Sequence, residues 1–328
     1  MTRRHACSTT KEAAMNRTAI LLVALGAVFA ALYNTFTKKV QTGDWKNRTS
    51  LLVALHLGGA ALLLFVTALF TGGAEIKPGF LWPMLATGML NIGIMFGKMK
   101  ARALEDVSLV TPIDSTTPAV VIVTSMIILG EYPSRLGWIG IWLLAIGTYV
   151  LNIQDFKEAL AQRVDARAVT GWRRAIRIWL APFLALGRSA GVRWAFFAVG
   201  LSTVALPYDG LVARRANMGF GFGCVCAIAA LGNLVVALRR DEHRGVKPGE
   251  AVSKATTLAL LLAAAIWITG FAFRLDIVPY VGTMKRLAIP LTIIFAYYLA
   301  GEKKSFRERL LGGVIMVVGA ALITLGGK

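Results

Sequence analysis

The chain has 328 residues, 56% of them hydrophobic against 16% charged, with a mean hydropathy of +0.65 and a formal net charge of +19. A composition this apolar excludes a soluble domain of this length and describes a polytopic membrane protein. The surplus positive charge lies in loops between apolar runs rather than on a folded aqueous face, which excludes a nucleic-acid partner.

Ten apolar runs approach the ~20 residues that a transmembrane helix needs: approximately 18–38, 49–71, 79–99, 107–130, 135–153, 192–213, 218–238, 255–273, 278–300 and 308–326. The loops after spans one, three, five, seven and nine hold 24 of the 36 lysines and arginines, the opposite side holds 10, and two lie inside span nine. That bias predicts an inner (plasma) membrane protein with those five loops in the cytoplasm and both termini outside. The polar stretch 2–17 argues against a cleavable signal peptide. Cys7, Cys224 and Cys226 make no disulfide framework, since the last two sit two apart on a helix and point in different directions.

Span one ends with Tyr33-Asn34, and Asn34 is expected to be a buried polar residue. Span two contains His56, a lone histidine that fits hydrogen-bonded packing better than a proton relay. Span three carries Asn91 and closes on Lys98, Lys100 and Arg102. In span four, Thr111, Asp114, Ser115 and Pro118 fall at i, i+3, i+4 and i+7 and share one helical face. Pro112 and Pro118 remove backbone donors there, a pattern of broken helices at transporter sites. After span five, which ends at Asn152, the stretch 154–191 is basic and aromatic and fits an interfacial amphipathic helix or a solvated linker.

Span six holds Leu206-Pro-Tyr-Asp-Gly-Leu211, with Tyr208 and a second intramembrane carboxylate, Asp209. Spans seven and eight are expected to be mostly packing surface, with Asn233, Trp267 and Thr269 as exceptions. Span nine carries Lys285 and Arg286 side by side, each costing roughly 2.5–3.5 kcal/mol at a helix centre unless it faces a cavity, a counter-charge or an anion. Span ten has Gly312, Gly313 and Gly319, which permit close helix contact.

Span nine laid over span four matches Thr111 to Thr283, Asp114 to Arg286 and Pro118 to Pro290 at a constant offset of 172. Gly130-Glu131 then matches Gly301-Glu302, and Tyr33-Asn34 of span one falls on Tyr208-Asp209 of span six. The expected fold is therefore an all-α membrane protein of ten transmembrane helices arranged as two inverted five-helix repeats. Its parts are an N-terminal tail (1–17), a first repeat (18–153), the basic linker (154–191) and a second repeat (192–328). An odd number of spans per repeat forces opposite orientations, and such proteins hold substrate near the midplane between repeats.

The Pro-x5-Pro span followed by Leu-Gly-Glu-x-Pro-Ser, Gly-x2-Gly-Ile and Gly-x-Tyr-x-Leu-Asn resembles the first EamA-type repeat of the drug/metabolite transporter superfamily. Tyr280-x4-Lys285-Arg286 through Gly301-Glu302 to Gly313 resembles the second. The resemblance implies ten helices, alternating-access transport and no ATPase; members usually keep both termini in the cytoplasm, against the charge count. The adjacent Lys-Arg of span nine is similar to that of plastid phosphate-sugar translocators, which implies that Lys285 and Arg286 bind phosphate. The translocators' further lysine in the first half has no match here.

These readings predict a secondary transporter of a small anionic metabolite, with proton coupling through Asp209 or Asp114. Flipping of an anionic lipid headgroup and export of amino acids or drugs are the alternatives. The expected substrate-binding residues are Lys285, Arg286, Asp209, Asp114, Tyr280, Thr111, Thr283, Asn34, Tyr208 and Asn91. Locked Asp114–Arg286 and Asp209–Lys285 ion pairs are the structural alternative to substrate binding, although buried pairs contribute little stability. No nucleophile or metal cluster points to an enzyme, and no cofactor is expected. The expected partners are a small molecule, membrane lipid and a second copy in a homodimer.

Overall fold

The computed structural model describes residues 16–40, 45, 47–104, 113, 117–163, 189–300 and 306–325. Thr111, Asp114 and most of the 154–191 linker lie outside the described residues. Apart from turns, connections and one antiparallel bridge, Ile76 to Ala216, what is described is helical. The helices are α1 (Arg17–Val40), α2 (Thr49–Phe70), α3 (Leu81–Leu104), α4 (Thr117–Leu129), α5 (Arg135–Arg163), α6 (Ala190–Arg215), α7 (Met218–Arg239), α8 (Pro248–Leu275), α9 (Val278–Met284), α10 (Ala288–Ala300) and α11 (Phe306–Leu325). Among the described residues, five stretches are long and apolar enough to cross a membrane unaided: Arg17–Thr37, Thr49–Phe70, Ala190–Arg215, Met218–Arg239 and Pro248–Leu275.

Local chemistry explains the interruptions. The run expected as one span at 278–300 is cut by a 3₁₀ turn at Lys285–Leu287, where the two cations sit, leaving α9 and α10 as half-helices. Pro207 lies inside α6 and has no N–H for the carbonyl of Thr203; the Thr124 hydroxyl donates to that carbonyl instead, at 2.8 Å. At the end of α4, Gly130 takes the left-handed conformation (φ 67°) that terminates a helix and turns the chain toward α5. Asn217 caps α7 by accepting from the Gly219 amide at 2.9 Å.

The helices pack in pairs: α5 with α11, α2 with α7, α3 with α6 and α1 with α8. Smaller seams join α2 to α8, α3 to α7, α1 to α10 and α4 to α6. In the α5–α11 seam, Gly140, Gly147 and Gly319 bring backbone against backbone.

The two ends of the bundle are sewn across the halves on the α2–α7 side. At the end where α1 begins, here the proximal end, the Asn217 amide donates to the Glu75 carbonyl at 2.9 Å and its side chain donates to the Thr71 carbonyl at 2.8 Å. At the distal end, the Leu51 amide donates to the Glu242 carboxylate at 2.8 Å and Arg48 donates to the Arg244 carbonyl at 3.0 Å. On the α4–α9 side, the proximal end is fastened by Glu131. Its carboxylate accepts from Arg214 at 2.5 Å and from the Val278 amide at 2.7 Å.

Candidate functional site

A cavity of about 220 Å³ lies between α1, α2, α3, α6, α7, α8 and the 3₁₀ turn. Its polar wall is made by Asp209, Lys285, Asn91, Thr269 and Tyr33, and its apolar wall chiefly by Phe222, Phe273, Leu262 and Ile266. One helix supplies each of the polar groups except the lysine, which arrives on the break in span nine. That break is what turns a helix-centre cation into a cavity-lining one.

Asp209 is held by α3 rather than by a cation. The buried Thr87 hydroxyl donates to its Oδ1 at 2.5 Å, and the Asn91 amide donates in turn to the Thr87 carbonyl at 2.9 Å. A hydroxyl-to-carboxylate bond of this length is charge-assisted and strong. Lys285 interacts electrostatically with Asp209, while its ammonium stands 5.5 Å from the centre of the Phe273 ring. That is cation–π range. The ion pairs among the described residues are Arg214–Glu131, Arg244–Asp241 and Lys254–Glu250, so Asp209 and Lys285 face one cavity without a direct salt bridge. Both keep part of their surface accessible because that surface is cavity wall.

On the neighbouring wall, the Tyr33 hydroxyl meets His56 Nε2 at 2.8 Å, and His56 Nδ1 meets the Leu52 carbonyl at 2.6 Å. His56 is thus a packed histidine tied at both nitrogens, as its lone position in span two predicts. Cys226 also lines the cavity, one turn from Phe222.

Three of the expected site residues, Lys285, Asp209 and Asn91, meet here. Others do not. Asn34, expected to be buried, is exposed, and its neighbour Tyr33 is the residue that reaches the cavity. Tyr280 is 2% exposed and occupied elsewhere: its hydroxyl accepts from the Ser134 amide at 2.8 Å and donates to the Ser134 hydroxyl at 3.1 Å. Thr283 is fully buried on α9 away from the cavity lining, and Tyr208 and Arg286, both half-buried, are likewise outside that lining. Arg286 adds to the positive field at Lys285. Spans seven and eight, expected as packing surface, instead form most of the apolar wall. Thr87 went unmarked in the sequence although it sits one helical turn before Asn91, the spacing that puts two polar side chains on one face.

Residues 17–153 match the model of the EamA-like transporter family. A solved structure described only as "Crystal structure of protein" has a similar fold, with a TM-score of 0.68 at 19% identity over 94% of this chain and 96% of that one. No curated protein sequence matches the chain.

Proposed function

We propose that the chain is a secondary transporter that carries a small acid-bearing metabolite through the central cavity by alternating access. The observation that carries this reading is Lys285: an ammonium on a broken helix, lining a cavity, with no carboxylate in direct contact among the described residues. A cation left in that position is matched by an anion that comes and goes. Arg286, next in the turn, strengthens the field that attracts it. Asp209, gripped by Thr87, is the group that exchanges a proton during the cycle.

The architecture belonging to this reading is ten spans in two inverted repeats, 18–153 and 192–328, in the plasma membrane with the 154–191 linker on the cytoplasmic side. Its support is the pattern of helix pairing. If each span is exchanged for its counterpart five spans away, the α1–α8 seam becomes α6–α3, α2–α8 becomes α7–α3, α1–α10 becomes α6–α4, and α2–α7 and α5–α11 become themselves. The pairing maps onto itself, as a twofold axis in the membrane plane requires.

A second reading follows from the lining. One carboxylate and one ammonium beside two phenyl rings also suit a zwitterion with an apolar side chain, as in export of amino acids. Uptake into proteoliposomes of a panel of phosphorylated, carboxylated and zwitterionic metabolites, with and without a pH gradient, tests both. The acid-bearing reading expects a substrate whose uptake is abolished in Lys285→Ala, whereas the zwitterion reading expects Asp209→Asn to be equally damaging to binding. Uptake that survives Lys285→Ala intact would sink both.

A further inference from the structure

At the proximal end a second cavity, of about 330 Å³, is lined by Glu75, Lys77, Arg214, Ala216 and Arg274. Three cations there face one carboxylate. Both guanidinium groups are fixed by neutral acceptors: Arg274 Nε donates to the Ala213 carbonyl at 2.6 Å and Nη2 to the Ala216 carbonyl, while Arg214 Nε and Nη2 donate to the carbonyls of Phe273 and Asp276 at 3.0 Å each. Carbonyls orient the forks without neutralising their charge. Among the described residues, the carboxylate bonded to Arg214 is Glu131, which also accepts from the first amide of α9.

One residue links the fixed groups of this cavity to the lining of the central one. The Phe273 carbonyl is held by Arg214, and the Phe273 ring lines the central cavity beside Lys285. Arg214 therefore touches the vestibule, the backbone of a residue lining the central cavity and the fastening of α9 at once.

We propose that the vestibule is a second anion-binding site, a loading site for a carboxylate- or phosphate-bearing group, whose ligand competes with Glu131 for Arg214. An oxyanion between Arg214, Arg274 and Lys77 offers Arg214 a charge-assisted partner equivalent to the one it leaves. Glu131 then keeps only the Val278 amide, and the fastening between the 131–134 turn and α9 is loosened at the proximal end. The proposal rests on the transport reading above, and the anion's source is either a free solute or a lipid headgroup.

Cys226 makes the test direct, because it lines the central cavity. With Cys7→Ser and Cys224→Ser as background, the rate at which a membrane-impermeant cationic thiosulfonate reagent modifies Cys226 is measured in nanodiscs of phosphatidylcholine, with and without inorganic phosphate. The expected result is an acceleration of about tenfold, the order that loss of one charge-assisted bond gives. The acceleration should vanish in Lys77→Glu, an exposed position whose exchange leaves the fold alone. Glu131→Gln should label at the fast rate without phosphate. Acceleration by added phosphatidylglycerol instead of free phosphate assigns the headgroup as the source.

No acceleration by either anion, or one that persists unchanged in Lys77→Glu, overturns the proposal. So does an acceleration lost in Lys285→Ala, since the anion would then act in the central cavity. A chain that binds no anion at Lys285 would still give the Lys77-dependent response, so the two readings fail separately.

Discussion

Replacing Gly140 by alanine probes a seam on which the two halves meet backbone to backbone. A Cβ at Gly140 would lie 2.6 Å from the Gly319 carbonyl oxygen and 2.8 Å from the Ile323 amide nitrogen. Both are backbone atoms on α11, so no rotamer relieves the contact. Reaching ordinary van der Waals distance requires α5 and α11 to part by roughly 0.8 Å, a gap that forfeits a quarter to a half of the dispersion energy across the seam. Overpacking of this kind costs about 1–3 kcal/mol, against which the better helix propensity of alanine returns up to about 1 kcal/mol. Gly200 is the control, because nothing lies within 4 Å of its added Cβ. Melting of the two purified variants in one detergent should put Gly140→Ala below the unsubstituted protein and Gly200→Ala at or above it. Equal melting points would refute the close seam.

Two further outcomes follow from the proximal end. Tyr280→Phe removes both bonds to Ser134 and leaves a buried amide without its acceptor, so the melting point should fall by the equivalent of about 1–3 kcal/mol; an unchanged value would mean that the turn is not held there. Burial lifts the Asp276 carboxyl above its ordinary value, partly countered by the Asn16 and Ile277 amides that donate to it. A carboxyl raised in the fold binds its proton more tightly there than in the unfolded chain, so its contribution is present below the ordinary value of 3.8 and is lost as pH rises through the raised one. Stability profiles of the unsubstituted protein and Asp276→Asn should therefore converge at acid pH and separate upward, with the variant flatter; parallel profiles would remove Asp276 as the cause.

Much of the site was legible because charge inside an apolar run is conspicuous. Lys285 and Asp209 stand out on that ground and Asn91 as a neutral polar residue in such a run, and all three line one cavity. The glycines of span ten were legible for the same reason, as an absence of side chain where a helix must approach another. The apolar wall was not legible, because Phe222 or Phe273 facing a cavity reads in sequence like a phenylalanine facing lipid. Asn34 failed through register: matching Tyr33-Asn34 to Tyr208-Asp209 aligned the residue names, while the side chains that reach the cavity are Tyr33 and Asp209, one residue out of step. On a helix, one residue is about 100° of rotation, enough to send Asn34 to the outer surface. Tyr280 failed because a buried hydroxyl takes whichever partner is nearest, and the Ser134 turn of the other half comes within hydrogen-bond reach only in three dimensions. Glu131 was visible as half of a repeated Gly-Glu pair, but its bond to Arg214 joins positions 83 residues apart.

The most direct measurement is the melting point of the purified protein against a panel of phosphorylated and carboxylated metabolites and cationic drugs, repeated with Lys285→Ala and Asp209→Asn. A ligand raises the melting point according to its affinity for the folded state. A rise caused by an acid-bearing compound and absent in Lys285→Ala is the expected result, with Lys285 as the ligand-bearing cation of the central cavity. Stabilisation by cationic or neutral compounds alone, persisting in Lys285→Ala, would contradict it and leave Lys285 as a structural partner of Asp209.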